Sequence, residues 1–138
     1  MDVRMEYTEG FGKKAEVWVG GDLLTVCDNI SPKGTRTPPG PLEDVAFSYV
    51  THEAFTWEEA VKANPMHKRL IEPVRDWSYV GFGRILQVQP VLIDFGILQM
   101  EDSNWTTDED LVGAYVGVNL DRLEIHPAKE LDWPEHMR

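Results

Sequence analysis

Polar and apolar residues alternate from the start of the chain. Val3, Met5 and Tyr7 stand on one side and Arg4, Glu6 and Thr8 on the other, the two-residue period of a half-buried strand. Glu9-Gly10-Phe11-Gly12 breaks the run with two glycines that tolerate positive φ. A second strand is predicted over Ala15, Val17 and Val19, alternating with Glu16 and Trp18. Gly20-Gly21 then makes a two-residue hairpin turn, and Leu23–Cys27 returns as a third strand.

Residues 31–42, SPKGTRTPPGPL, hold four prolines and two glycines in twelve positions, which predicts a long loop without ladder or helix. Val45–Val50 reads as a short strand. Thr56-Trp57-Glu58-Glu59 has the spacing of a capping box, with Trp57, Ala60 and Val61 on the helix that follows. Asn64-Pro65 predicts a second short helix through MHKRLI, stopped by Pro73.

The strongest β signal lies at residues 79–101, YVGFGRILQVQPVLIDFGILQME. It predicts one strand over Arg84–Gln89 and, after Pro90, another over Val91–Glu101 with a bulge at Gly96. A last strand is predicted over Tyr115–Ile125, its alternation broken near Leu123. The pattern therefore predicts a mainly β (α+β) fold of about six strands with one short helical insertion. Its form would be a small curved sheet or an OB-like β-barrel, or, nearly equivalently, two layers with the helix on one face. A single β-rich domain is expected over residues 1–126. The polar C-terminal tail, 127–138, would lean on the body through Trp133.

Composition changes this picture little: 42% hydrophobic and 27% charged residues in 138 are ordinary for one globular domain. Cys27 is the only cysteine, so an intrachain disulfide and a multi-cysteine metal site are excluded. The first residues lack the apolar stretch of a secretory signal, and no run approaches a membrane span. The expectation is a cytoplasmic protein without membrane contact.

Charge changes the picture more. The net charge of -11 divides as -1 over residues 1–40, -3 over 41–100 and -7 over 101–138. Such a field opposes a phosphate backbone and attracts basic partners. Residues 101–110, EDSNWTTDED, concentrate it, with five carboxylates around Trp105 and no cation. As a calcium loop counted from Asp102, this stretch has Thr107 where glycine is needed and Gly113 where a bidentate glutamate is needed. No metal is therefore assigned to it. A helix start accounts for part of the composition, with Thr106 capping through Glu109, Leu111 and Val112 facing the core, and Gly113 ending the turn. Trp105, Glu101, Asp102 and Asp110 are left without a structural demand. Together with Asp108 and Glu109 they are the candidate surface for a basic protein partner.

Other chemistry is sparse. His52, His67, His126 and His136 lack the spacing that puts two imidazoles on one helical face. His52 and Asp94 are the candidate lining of a small-molecule or enzymatic pocket, although alternation with Ile93 and Phe95 turns Asp94 outward. Asp94-Phe95-Gly96 matches a kinase metal-binding triplet in letters alone. Gly81-Phe82-Gly83 has no phosphate-loop lysine, and no serine sits in a nucleophile elbow. No catalytic residue and no cofactor is assigned. Single-strand binding through Trp18, Trp77, Tyr79 and Phe82, helped by Lys13-Lys14 and His67-Lys68-Arg69, is a minor alternative that the acidic field opposes. The expected function is non-catalytic: an inhibitor- or immunity-like protein that engages a basic surface. Nothing in the sequence sets the oligomeric state.

Overall fold

The structure, a computed structural model, describes residues 1–128. The predicted Trp133 anchor, and His136, lie outside the described residues. Among the described residues the fold is mainly β, as the alternation predicts, with two sheets and one short α-helix, Trp57–Lys62. The elements run β1 (Val3–Thr8), β2 (Lys14–Val19), β3 (Asp22–Asp28), β4 (Gly40–Leu42), β5 (Val45–Val50) and α1 (Trp57–Lys62). They continue as β6 (Leu70–Arg75), β7 (Ser78–Val88), β8 (Val91–Asp94), β9 (Gln99–Asp102), β10 (Tyr115–Leu120) and β11 (Arg122–Pro127). The chain divides into two compact units, one formed by Met1–Ser48 with the segment beginning at Leu123, the other by Tyr49–Arg122.

The first unit holds a sheet ordered β4-β1-β2-β3-β11-β5. Its β1–β2 and β2–β3 pairs are antiparallel hairpins, the second closed by two residues with Gly20 at φ 57°. β11 joins β3 in parallel. Val3, Met5, Val17, Val19, Leu24 and Val26 are buried, so the alternation read from sequence selects the core face. Tyr7 departs from it: the β1–β2 register shifts between Met5 and Tyr7, leaving Tyr7 exposed and turning Thr8 inward. The proline-rich segment also departs from its prediction, since Gly40–Leu42 pairs with β1, Pro41 opposite Arg4. Proline is tolerated there because β4 is the outermost strand, where a missing N–H breaks no second ladder.

The second unit holds a sheet ordered β10-β7-β8-β9, with β6 also paired to β7. Neither sheet closes on itself, so the barrel form gives way to open sheets with more strands than predicted. The expected strand over Val91–Glu101 is a hairpin, because Gly96 at φ 88° turns the chain between β8 and β9. The expected Tyr115–Ile125 strand likewise divides at Asp121 into β10 and β11. Gly81 and Gly83 are required by packing in β7. A Cβ at Gly83 would stand 2.5 Å from the Asp94 carbonyl oxygen, and one at Gly81 would stand 2.6 Å from the Phe95 ring.

The helix predicted over MHKRLI is absent. Asn64 is 2% exposed, and its side chain accepts from the Lys68 amide at 2.8 Å and donates to the carbonyls of Lys68 at 3.0 Å and Val116 at 3.2 Å. These bonds hold a loop, in which His67 takes φ 55°, before β6 begins. The capping box on α1 does form: Thr56 accepts from the Glu59 amide at 3.1 Å while Glu59 accepts from the Thr56 amide at 3.1 Å. Thr56→Ala is expected to cost about 1 kcal/mol in a urea titration, the ordinary value of an N-cap. A loss indistinguishable from zero would mean that α1 is held by the burial of Trp57 and Ala60 alone.

Candidate functional site

The acidic loop after β9 belongs to the second unit, and its backbone is firmly tied. Asp102, the last residue of β9, is 6% exposed and accepts from the Tyr49 hydroxyl and, at 2.7 Å, from the Asn104 amide. Asn104 donates to the Phe55 carbonyl at 2.9 Å, and its own carbonyl accepts from the Trp57 indole at 3.1 Å. Thr106 accepts from the Asp108 amide at 3.1 Å. The chain then makes a single 3₁₀ turn, Glu109–Leu111, whose cap is Asp108, accepting from the Asp110 amide at 3.0 Å. The predicted Thr106–Glu109 box is thus replaced by a cap two residues later. The turn is too short to bury its apolar side, and Val112 is exposed. Gly113 does take the predicted left-handed conformation, φ 90°.

This scaffold sorts the predicted surface residues. Trp105 is 71% exposed, and among the described residues its indole finds neither a hydrogen-bond partner nor an aromatic neighbour. Glu101, Asp108, Glu109 and Asp110 are exposed too. Asp102 is the exception. Alternation along β9 turns Met100 and Asp102 inward, so Asp102 braces the loop from below instead of facing a partner. Burial pushes its carboxyl above the ordinary 3.8, against the opposing pull of the bonds from Tyr49 and Asn104. Burial likewise pushes the Tyr49 hydroxyl well above 10.0, and the neighbouring Asp102 adds to that shift.

The candidate pocket pair is not brought together by any hydrogen bond or ion pair among the described residues. His52 is exposed and gives its backbone amide to Asp121 at 2.7 Å. Asp94 lies on the face opposite buried Ile93 and Phe95, as alternation predicts, and pairs with Arg69 at 2.7 Å while accepting from the Gly96 amide at 2.8 Å. Of the aromatics considered for stacking, Tyr79 is buried and the Trp18 indole donates to Glu6 at 2.8 Å.

Two clusters in the first unit escape sequence reasoning. Ser48 and Glu124 both approach Nε2 of His126, at 2.7 and 3.0 Å. A nucleophile triad needs its acid on the other ring nitrogen, so this arrangement does not prepare Ser48 for attack. The second cluster centres on Asp28, which is fully buried. Its Oδ1 accepts from the amides of Ile30 and Ser31, each at 2.8 Å. Its Oδ2 accepts from the Ser31 hydroxyl at 2.6 Å and from the Thr8 hydroxyl. Burial alone would raise its pKa, but bonds from the Ser31 and Thr8 hydroxyls and the Ser31 and Ile30 amides outweigh it and hold the carboxyl below 3.8. The sequence signal was present in Asp28-Asn29-Ile30-Ser31, an acid two and three residues before the amides it binds. The Thr8 partner depends on the register shift in β1, which the alternation of residues 3–8 conceals.

Among the described residues no three His, Cys, Asp or Glu side chains converge to hold a metal ion, and no helix is long and apolar enough to cross a membrane. No protein-family model, curated protein or solved structure matches the chain.

Proposed function

We propose that this chain is a non-catalytic interaction protein, inhibitor- or immunity-like, that engages a basic protein surface through Trp105 and the carboxylates around it. The observation that carries the reading is Trp105 at 71% exposure on a loop fixed by the bonds of Asp102 and Asn104. Leaving a large indole in water costs hydrophobic free energy that a core position would recover, and a fixed backbone limits the entropy lost on binding. An exposed indole with exposed Glu101, Asp108, Glu109 and Asp110 within five residues of it in sequence suits an Arg or Lys, which would gain cation–π and charge contacts at once. The acidic field would speed encounter with such a partner.

The test is affinity capture from the native host with the wild-type chain, Trp105→Ala, and the triple reversal Asp108→Lys, Glu109→Lys, Asp110→Lys as baits. The wild type is expected to retain a basic protein that elutes as salt rises past the range where screening becomes strong, about 0.15 M and above. Trp105→Ala should weaken capture by about 30-fold, the scale of an aromatic anchor worth about 2 kcal/mol. The triple reversal should lose most of the capture and its salt dependence. Equal recovery on the triple reversal would refute the proposal.

A further inference from the structure

The loops tied together by Asp28 form a half-open surface pocket of about 310 Å³ in the first unit, remote in sequence from the acidic loop; apart from buried Gly10 its lining residues are exposed. One wall is the β1–β2 connection. There the Gly10 amide donates to Thr8 at 3.0 Å, the Gly12 amide donates to the Asp28 carbonyl at 2.7 Å, and the Asp28 amide donates to the Lys13 carbonyl at 2.9 Å. The other wall is the start of the proline-rich segment, where Ser31 binds Asp28 and accepts from the Thr37 amide at 3.0 Å. The two loops meet closely: the Thr35 carbonyl oxygen lies 3.7 Å from where Gly10 would carry a Cβ. One buried carboxylate thus fixes both walls, so the cavity is held open by bonds that a ligand need not supply.

Its lining is basic in an acidic protein. Lys13, Lys33 and Arg36 all line it, three of the five Lys and Arg among residues 1–40. Among the described residues none of the three forms an ion pair with a carboxylate. Lys33 Nζ stands over the ring of Phe11, another lining residue, 5.7 Å from its centroid. Glu9 is the one acidic residue of the lining and leaves a net of +2. One arginine and two lysines lining one small pocket suit a doubly charged oxyanion, since a phosphate presents several acceptor oxygens on one atom whereas a carboxylate brings a single charge. The volume lies at the small end of ligand pockets and fits a small molecule.

We propose that this cavity binds a small phosphate-bearing anion, either inorganic phosphate or a phosphate monoester, held by Lys13, Lys33 and Arg36. The reading is independent of the Trp105 surface.

The test is a two-dimensional amide NMR titration of the full chain at low ionic strength with three probes: inorganic phosphate, AMP and acetate. Saturable shifts confined to residues 9–13 and 31–37 are expected with phosphate or AMP and absent with acetate. Equal response to both phosphates identifies the free anion as sufficient, and a tighter response to AMP identifies a monoester whose organic part reaches Phe11; either supports the proposal. Arg36→Gln and Lys33→Gln should each weaken binding about tenfold, the loss of one charge-assisted contact. Glu9→Gln should tighten it by removing the opposing charge. All three sites are exposed, so an unchanged spectrum elsewhere confirms that the variants fold. No shift with phosphate or AMP, an equal shift with acetate, or affinity indifferent to Arg36→Gln and Lys33→Gln would overturn the proposal.

Discussion

Asp28→Ala is expected to cost about 4 kcal/mol, a large part of the roughly 5–15 kcal/mol that holds a domain of this size together. The substitution leaves two amides and two hydroxyls without their acceptor in a site closed to water. Each bond to a charged acceptor is worth more than a neutral one, and each orphaned donor adds its own desolvation cost. The urea midpoint at neutral pH should fall by about 2 M with the slope unchanged. Asp28→Asn should lose about half as much, because its carbonyl oxygen still serves the Ile30 and Ser31 amides while the charge is gone. The pH dependence has a definite sign. A folded-state carboxyl held below 3.8 contributes stability that is present above 3.8 and lost as pH falls through the folded value. The gap between wild type and Asp28→Ala should therefore narrow below pH 3.8. A gap that stays constant into acid would show that the charge on Asp28 is not what stabilises the fold, and a loss under about 1 kcal/mol would show that the network contributes little net stability.

The elements that could be read from the sequence were those whose signal is local. The capping box at Thr56 and the alternation of β2 depend on residues a few positions apart, and both form. The misreadings share a cause, since in each a tertiary partner decides between local options. Asn64 has the sequence of a helix cap, but its side chain is drawn to the Val116 carbonyl, 52 residues away, and the helix is lost. Pro41 looks like a strand breaker, but β1 offers it an outer edge. At the candidate surface, the exposure of Trp105 follows from its polar neighbours, whereas the burial of Asp102 follows from its strand's register, Asp102 standing opposite Val91. The basic cavity was illegible for the same reason. Lys13 and Arg36 are 23 positions apart, and Asp28 and the Thr8 register shift bring their loops together.

Asp102 should behave in the opposite way to Asp28, although both are buried aspartates that accept hydroxyl and amide bonds. Asp102 has two donors in place of four, and burial prevails, so its carboxyl sits above 3.8. A raised carboxyl favours the folded state fully below 3.8, and that contribution is lost as pH rises through the folded value. At neutral pH the buried charge is therefore a cost. Asp102→Asn removes the charge and keeps the shape: the amide oxygen accepts from Asn104 and the NH₂ group can donate to the Tyr49 hydroxyl oxygen. Its expected stability at pH 7 equals or exceeds that of the wild type by up to about 1 kcal/mol, an advantage that vanishes below pH 3.8. Asp102→Ala, in contrast, strands both donors and should lose about 3 kcal/mol at pH 7. Chemical denaturation of the three proteins at neutral and acid pH separates charge from hydrogen bonding. If Asn at this position were as damaging as Ala, the charge itself would be what holds the loop. The same pair bears on Trp105, because the Asp102 carboxylate anchors the backbone amide of Asn104, the residue just before the indole. Asp102→Asn should keep the indole on its fixed support and preserve partner capture, while Asp102→Ala should loosen the loop and weaken capture with no change to any exposed side chain.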